Sequence, residues 1–262
     1  MALSNQQVEQ VARELIEAEK TGTPVATLTE RFGDITYEDA YAVQLKTVDI
    51  RTKAGAVIVG KKIGFTSKAM MDQFNIREPD YGMIDDRIVF REGQPVPMAS
   101  LIFPRIEPEI AFVLKHDLEG PGVNAATVLA ATEGVLPALE VVDSRFGPKQ
   151  ITVKDSIADN ASAGLMILGG KLTPVEGLDM RLLGMVFEHN GRVVSTGAGA
   201  AVLGNPAQSV AWLANKLAQF GITLKKGEFV MSGSLVSAVK IEAGSFFRAT
   251  FDRIGTVSAL FE

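Results

Sequence analysis

Two glutamates stand close together in an apolar run of the sequence, RIEPEIAFVL, at positions 105 to 114. The run is rich in strand-forming residues, and side chains two apart on a strand point to the same face. Glu107 and Glu109 are therefore predicted to project together, with Cα atoms ~6.5 to 7 Å apart. Adjacent carboxylates repel each other, and burial without a counter-charge forces a proton onto one of them. The pair indicates either a bound cation or a solvated strand face.

A third acid, Glu140, lies in the apolar segment LPALEVVDSRF, close to Asp143 and Arg145. Three carboxylates suit a hard cation such as Mg²⁺ or Mn²⁺ better than Zn²⁺, because hard cations prefer oxygen ligands. The sequence has no cysteine, which excludes thiolate sites, disulfides and cysteine nucleophiles. A second interpretation stays open at this point, in which Glu107 and Glu109 face solvent and Glu140 pairs with an arginine.

Other polar residues stand next to apolar segments. GAVIVGKK nearly matches a phosphate-binding loop, but Lys62 replaces the required hydroxyl and the segment is typical of a strand, so nucleotide binding is not favoured. Lys61 and Lys62 should point to opposite strand faces, so one of them can be buried and can fix a carboxylate or transfer a proton. REPDYG, residues 77–82, predicts a turn that could hold Asp80 at a pocket mouth. DSIADNASAG, residues 155–164, is either an ordinary turn or a ligand-binding loop.

The elements that must position these residues follow from caps and periodicity. Ser4 predicts the start of one helix, and Thr36 the start of a second that runs to about residue 55. These helices make a predicted N-terminal helical region, residues 1–55. Short β-like runs then predict a mixed, mostly β core over residues 56–262, and the two regions are expected to form one structural unit.

Two local signals in the second half are specific. Asn190 and Gly191 separate two β-like runs and predict a tight antiparallel hairpin, because both turn positions require positive φ. Asn205 as N-cap and Pro206 at the first helical position predict a helix over residues 206–220. The apolar stripe of that helix predicts packing against the core.

The composition of the chain limits the classes of protein to which it can belong. The chain has 262 residues, 47% of them apolar, enough for a sizeable core. Lys plus Arg number 26 against 31 Asp plus Glu, without a long run of one sign, so neither nucleic acid nor a membrane surface is an expected partner. The polar start MALSNQQVEQ and the short apolar runs predict a cytoplasmic protein that acts on small molecules.

Several segments, in order along nearly the whole chain, resemble the 2-oxopent-4-enoate hydratase family of the fumarylacetoacetate hydrolase superfamily: GKKIGFTSKAM, EPDYG, PRIEPEIAFVL, GPGV, PALEVVDSR, DSIADNASAG, TGAGAAVLGNPAQSVAWLANKLAQFG and SGSL. The resemblance implies an α+β fold with a mixed, mostly β, barrel-like core. It also implies a hydro-lyase of meta-cleavage aromatic catabolism. In such enzymes water adds to a 2-hydroxy-2,4-dienoate and gives a 4-hydroxy-2-oxo acid.

The same resemblance implies roles for particular residues. Glu107, Glu109 and Glu140 match the glutamates that bind one Mg²⁺ or Mn²⁺. Lys62 matches the second lysine of the family's G-[KR]-K motif and is assigned to proton transfer or oxyanion support. Asp80 is assigned to the protons of water and substrate.

The substrate-binding assignments that go with the resemblance are Ser162 and Ser234. The resemblance further implies a homo-oligomer and an association with a homologous decarboxylase. A non-catalytic subunit of such a complex is a further alternative. The charged cluster speaks against it, because a subunit released from catalysis has no need of charges in an apolar pocket.

The sister family, the 4-oxalocrotonate decarboxylases, is the main alternative. It shares the ADNAS segment and the metal site. An apolar residue takes the position of Asp80 there, and tryptophan takes that of Lys68. Both differences favour the hydratase, since water addition needs a group that handles protons. Longer diacid substrates, such as 2-oxohept-4-ene-1,7-dioate, fit the same motifs.

Overall fold

Three helices precede the first strand in the computed structural model, which describes residues 2–33, 35–73, 76–99 and 101–262. They are α1 (Asn5–Thr21), α2 (Leu28–Phe32) and α3 (Tyr37–Lys53). Ser4 and Thr36 cap α1 and α3 through capping boxes, as predicted, so unpaired amides at both helix starts have acceptors. Helix α3 packs on α1 and on a later helix, which joins this region to the rest of the chain.

The described part of the chain contains two sheets, of eight and four strands. The larger sheet has the order β2-β1-β9-β4-β5-β6-β3, with β10 paired to β4, and the smaller has the order β12-β11-β7-β8. The strands are β1 (Ile58–Gly64), β2 (Asp80–Asp85), β3 (Val89–Arg91), β4 (Arg105–Leu114), β5 (Thr132–Val142), β6 (Ala163–Leu168), β7 (Gly184–His189), β8 (Arg192–Ala198), β9 (Phe229–Ser234), β10 (Val239–Lys240), β11 (Phe246–Phe251) and β12 (Gly255–Leu260).

The predicted mixture of helices and sheets is confirmed, but the barrel-like closure is overstated. Within the described ranges the larger sheet stays open between β2 and β3, and the smaller stays open between β12 and β8. Strand β3, at one open edge, has three residues and pairs with β6, and β10 lies off the main strand order, paired with β4.

Four further helices lie between the strands: α4 (Lys68–Gln73), α5 (Ala125–Ala131), α6 (Val153–Ala158) and α7 (Pro206–Ala218). The last one is the helix predicted from Asn205 and Pro206, and the Asn205 side chain accepts from the backbone N–H of Ala207. The other three escaped prediction because each is six or seven residues long, too short to show a helical period.

Two strand predictions had different outcomes. The hairpin at Asn190 and Gly191 is confirmed, with β7 and β8 antiparallel. The turn predicted for residues 77–82 is wrong at its end, because Asp80 begins strand β2, which pairs with β1. A run with two aspartates and a glycine has little intrinsic strand preference, so the pairing decides its structure.

The main apolar core fills the space between the larger sheet, the helices and the smaller sheet. A second, smaller cluster lies on the other face of the larger sheet. It includes Ala111 and Ala138, which stand two residues from Glu109 and Glu140 on the same strand faces. The acids therefore sit at the end of an apolar face. No described helix is long and apolar enough to span a membrane.

Candidate metal and active site

Three glutamates converge on neighbouring strands β4 and β5. Glu107 and Glu109 share one face of β4, as predicted from alternation, and Glu107 stands directly opposite Glu140 of β5. Each side chain offers a carboxylate oxygen within 4.8 Å of the others. This spacing is short enough for one ion to contact all three groups.

The carboxylates are buried and short of partners. Glu109 and Glu140 are fully buried, and Glu107 is half-buried. The backbone N–H of Gly233 donates to Oε2 of Glu109 at 2.7 Å. Oε1 of Glu109 and both oxygens of Glu140 have no hydrogen-bond partner among the described residues. The alternative interpretation is therefore wrong on two points: Glu109 does not face solvent, and the cation beside Glu140 is Lys62 rather than an arginine. Unpaired hard oxygens fit an Mg²⁺-like ion.

The crowding of these acids raises their pKa values. Burial, and next the charge of Glu140, raise the pKa of Glu107 to about 7, although Lys62 opposes the shift. Burial followed by the charges of Glu140 and Glu107 holds the pKa of Glu109 well above its usual range. The protein without an ion must therefore either keep protons on the cluster or tolerate the repulsion.

Lys62 is the positive group inside this cluster. Its Nζ lies 3.0 Å from Oε1 of Glu140, which is an ion-pair distance, while its hydrogen bond goes to the carbonyl oxygen of Ala161 at 2.9 Å. The contact with Glu140 is an ion pair without a hydrogen bond, so its contribution is electrostatic. Burial lowers the pKa of Lys62, but the charges of Glu140 and Asp80 outweigh it and raise the pKa above its ordinary value. Lys62 is thus held as an ammonium.

The two lysines, Lys61 and Lys62, point to opposite faces of β1, as predicted, but both are buried, where the sequence indicated that one could be. Both are 3% exposed. Lys61 pairs with Glu228 on the opposite face of the strand, at 2.5 Å from its Oε1. This partner explains how a second lysine is accommodated, and it leaves Lys62 as the one that contacts the acids.

Asp80 is a buried carboxyl beside Lys62. It is 1% exposed, and its Oδ2 accepts a hydrogen bond from the hydroxyl of Ser156 at 2.6 Å. Its Oδ1 lies against the backbone of Gly64 without a well-formed hydrogen bond. Burial raises the pKa of Asp80, while Lys62 and Ser156 oppose that shift. A carboxyl with one fixed and one free oxygen is suited to accept and return a proton.

A left-handed turn between α6 and β6 holds these groups in place. Asn160, Ala161 and Ser162 have φ values of 55°, 52° and 52°, which costs an L-residue ~1 to 2 kcal/mol each. The Asn160 side chain both accepts from the N–H of Met83 and donates to its carbonyl oxygen, at 2.8 Å each. The strained turn thus orients the Ala161 carbonyl toward Lys62, and its Asn160 side chain holds β2 at Met83.

Replacing Gly82 with alanine is expected to destabilise the fold by ~1 to 3 kcal/mol, because the added Cβ would overlap the carbonyl oxygen of Asn160 and approach Lys62. Thermal unfolding measures this effect. Gly184→Ala is the matched control, since no atom lies within 4 Å of the Cβ that it would add. Equal melting temperatures for the two variants would contradict the close packing of this turn.

The two predicted substrate-binding serines lie near the cluster, but their hydroxyls are engaged elsewhere. Ser162 donates to Oδ2 of Asp159 at 3.2 Å, and Asp159 forms a buried ion pair with Arg145. Ser234 stands opposite Glu109 in the β4–β9 register, yet its hydroxyl donates to the carbonyl oxygen of Val236 at 2.7 Å.

Two residues of the site, Ser156 and Gly233, were missed from the sequence. Ser156 lies within the polar segment 155–164, for which a ligand-binding loop was one interpretation, and it donates to Asp80. Asn160 of the same segment forms its hydrogen bonds with the backbone of Met83. Gly233 orients Glu109, and at φ 107° an added Cβ would overlap the side chain of Thr66. Nothing in the segment SGSL identifies Glu109 as the partner of the Gly233 backbone.

The family model for the fumarylacetoacetate hydrolase C-terminal domain matches residues 56–261. The chain belongs to this family. It is 43% identical over 256 residues, 97% of each chain, to a 2-hydroxyhexa-2,4-dienoate hydratase of Comamonas testosteroni. It is 47% identical to a 2-hydroxypent-2,4-dienoate hydratase of Pseudomonas putida, over 82% of this chain and 97% of that one.

A solved structure is also similar throughout. The 4-oxalocrotonate decarboxylase of Pseudomonas putida G7, complexed with magnesium and adipate, gives a TM-score of 0.97 at 39% identity. The match covers 100% of this chain and 99% of that one. The fold family indicated by the sequence motifs is confirmed.

Proposed function

We propose that the chain is a metal-dependent hydratase that adds water to a 2-hydroxy-2,4-dienoate and yields a 4-hydroxy-2-oxo acid in meta-cleavage aromatic catabolism. The observation that carries this proposal is a cluster of three glutamates, two of them buried with unpaired oxygens, beside a buried aspartate that can accept and return protons. The identity of 43% to 47% with hydratases over most of the chain supports the same reaction.

Glu107, Glu109 and Glu140 would hold the ion. Their oxygen-only donor set fits Mg²⁺, and Mn²⁺ takes the same ligands. A similar structure is complexed with magnesium, which supports that choice. When bound, the ion supplies Lewis-acid stabilisation of negative charge on the oxygens of a 2-oxo acid.

Lys62 and Asp80 would carry the remaining chemistry. The 2-hydroxyl of the dienoate loses its proton while carbon 5 gains one, which leaves a conjugated 2-oxo-3-enoate. The oxygen of water then bonds to carbon 4, carbon 3 gains a proton, and the other hydrogen of water stays in the new hydroxyl. Asp80 accepts and returns protons in these steps through its free oxygen, and the Lys62 ammonium stabilises negative charge on the oxygen at carbon 2.

Ser162 and Ser234 are assigned to substrate positioning. This role requires each hydroxyl to exchange its present acceptor for the substrate, which a hydroxyl can do by rotation. Ser162 is joined to the rigid turn that carries Ala161, so it has the firmer support of the two.

Decarboxylation of 4-oxalocrotonate is the second candidate, favoured by the TM-score of 0.97 with a decarboxylase. Supplying freshly generated 2-hydroxypenta-2,4-dienoate and, separately, 4-oxalocrotonate with Mg²⁺ decides between the two. A product heavier by one water supports the hydratase. Loss of CO₂ from the second substrate, without hydration of the first, contradicts it.

Mg²⁺ is expected to raise the melting temperature by several degrees at pH 8 and by less at pH 6. The pKa of Glu107, raised to about 7, means that the folded chain without an ion keeps a proton which the unfolded chain releases above about pH 4.5. Its stability therefore falls as pH rises through this window. An ion that replaces the proton restores more stability at the higher pH. Thermal unfolding with and without MgCl₂, against NaCl of equal ionic strength, measures the difference.

The assembly and location belong to the same proposal. We infer a cytoplasmic homo-oligomer that can associate with a homologous decarboxylase. The 41% identity with a 4-oxalocrotonate decarboxylase of Pseudomonas over 259 residues supports a shared surface for such a complex. Sedimentation of the chain alone and mixed with that decarboxylase tests it.

A further inference from the structure

The guanidinium of Arg145 is buried, and its donors are used inside the protein. Arg145 is 3% exposed. Its Nε donates to Oδ1 of Asp159, and its Nη2 donates to the backbone carbonyl oxygen of the same residue. Its Nη1 donates at 2.8 Å to two further backbone carbonyls, those of Asp143 and Ala163. Four hydrogen bonds engage most of the five N–H groups of a guanidinium, so Arg145 serves the protein backbone rather than a ligand.

The acceptors of Arg145 stand on both sides of the left-handed turn. The carbonyls of Asp159 and Ala163 come directly before and after residues 160–162, whose φ values are positive. The backbone N–H of Arg145 also donates to Oδ2 of Asp159 at 3.1 Å, and the Ser162 hydroxyl donates to the same oxygen at 3.2 Å. Three successive L-residues disfavour this conformation, so the turn persists only where its ends are held. Arg145 supplies that hold.

The turn decides where the ammonium of Lys62 donates its hydrogen bond. Nζ of Lys62 lies 3.0 Å from Oε1 of Glu140, yet its hydrogen bond goes to the carbonyl oxygen of Ala161 at 2.9 Å. Both oxygens of Glu140 are thereby left without a hydrogen-bond partner among the described residues. If the Ala161 carbonyl moved away, the ammonium would be free to donate to Glu140. An ammonium bonded there would neutralise a carboxylate and repel a divalent ion.

We propose that Arg145 is a positioning residue for the metal site. By holding the turn, Arg145 keeps the Ala161 carbonyl on the ammonium of Lys62. Lys62 then does not donate to Glu140, whose oxygens remain available to a divalent ion. The inference rests on the proposed function for the presence of that ion. A lysine cannot take the place of Arg145, because a single ammonium does not reproduce the planar fork that reaches three backbone carbonyls.

The affinity for Mg²⁺ tests this role without turnover. Arg145→Lys keeps a positive charge beside Asp159 but loses the fork of donors. We expect it to weaken Mg²⁺ binding by ~10 to 100-fold, the usual loss when a group that orients a metal ligand is changed. Calorimetric titration of the folded variant with MgCl₂ measures the effect. A loss of overall stability alone would lower the melting temperature and leave this affinity unchanged.

Hydrogen exchange gives a second test that needs neither ion nor substrate. The N–H of Met83 in β2 donates to the Asn160 side chain of the turn. In the metal-free chain, Arg145→Lys should therefore speed backbone exchange in β2 by ~10-fold, the usual weight of one hydrogen bond. Strands β11 and β12 of the smaller sheet should exchange as in the wild type. Mass spectrometry of peptides that cover residues 80–85 and 246–260 makes the comparison.

The matched control is Arg31→Lys, the same change at an arginine whose partners, Glu14 and the ring of Phe32, lie outside the turn. It should leave Mg²⁺ affinity and exchange in β2 unchanged. Adding Ala161→Gly to Arg145→Lys should recover most of the lost affinity, because glycine adopts positive φ without strain and the turn then needs less support. This double variant also replaces Arg145→Lys if the single variant does not fold.

Three results would overturn the proposal. They are a wild-type affinity for Mg²⁺ in Arg145→Lys, wild-type exchange in β2 in the same variant, and a double variant that recovers none of the affinity. A wild-type chain that binds no Mg²⁺ contradicts the proposed function instead. The exchange rates of the metal-free chain then decide whether Arg145 holds the turn.

Discussion

Glu109→Gln is expected to abolish Mg²⁺ binding and to lower kcat/KM by at least ~10³-fold, while the fold is kept. Glutamine has nearly the same shape as glutamate but carries no charge. The variant can still accept the N–H of Gly233, now 2.7 Å from Oε2 of Glu109, so the local backbone has no reason to move. Calorimetric titration with MgCl₂ and the rate of hydration measure the two effects.

The control for this variant is Glu133→Gln, an exposed glutamate on β5, the same strand as Glu140. It should bind Mg²⁺ and turn over substrate like the unmodified chain. The metal-free Glu109→Gln variant should also be more stable than the metal-free wild type, because it loses a buried charge that repels its neighbours. Full activity of the wild type after the metal is removed by a chelator, or full activity of Glu109→Gln, would contradict the metal-dependent mechanism.

Local signals in the sequence were sufficient for part of this architecture. The shared face of Glu107 and Glu109 follows from strand alternation within one segment, and the caps at Ser4 and Thr36 involve partners three residues away. Asn190 and Gly191 likewise define their hairpin through backbone preferences of the turn itself. In each case one short segment contains all the interactions that decide the structure.

The contacts that complete the site connect distant parts of the chain. Lys62 and its acceptor Ala161 are 99 residues apart, and Asp80 and Ser156 are 76 apart. Resemblance to a family could assign a role to Lys62 or Asp80, but spacing could not supply these partners. The left-handed turn was even harder to predict from the sequence, because alanine at position 161 disfavours the conformation that tertiary hydrogen bonds impose.

The sequence could not predict that the sheets are open rather than closed into a barrel, and the reason is again the distance along the chain between paired segments. The strand-like runs were visible in the sequence, but the order β2-β1-β9-β4-β5-β6-β3 joins segments far apart in the chain. Strand β2 was mistaken for a turn because its stability comes from pairing with β1 and from the Asn160 clamp on Met83. Periodicity reports which face of a strand is buried and contains little information about its neighbours.

Asp80→Asn is expected to lower kcat by ~10² to 10⁴-fold and to leave substrate affinity within a few-fold of wild type. The amide preserves the size of the side chain, and its oxygen can still accept from Ser156, 2.6 Å from Oδ2 in the native chain. It cannot take up and return a proton. The loss therefore falls on the proton transfers that accompany water addition rather than on binding at the glutamates. Steady-state kinetics and calorimetry with an unreactive 2-oxo acid separate the two.

Ser156→Ala gives the corresponding test of how Asp80 is held. The substitution removes the hydroxyl that holds Oδ2 of Asp80, so the carboxyl can still transfer protons but is less well oriented. Because the hydrogen bond from Ser156 lowers the pKa of Asp80, its loss should raise that pKa further. We expect a smaller fall in kcat, ~10-fold, with the acid limb of the pH–rate profile moved to higher pH, because a carboxyl with a higher pKa loses its proton later. Asp80→Asn should show no such limb. Hydration at the wild-type rate in Asp80→Asn would mean that protons reach carbons 3 and 5 by another route, and it would contradict the proton-transfer role proposed for Asp80.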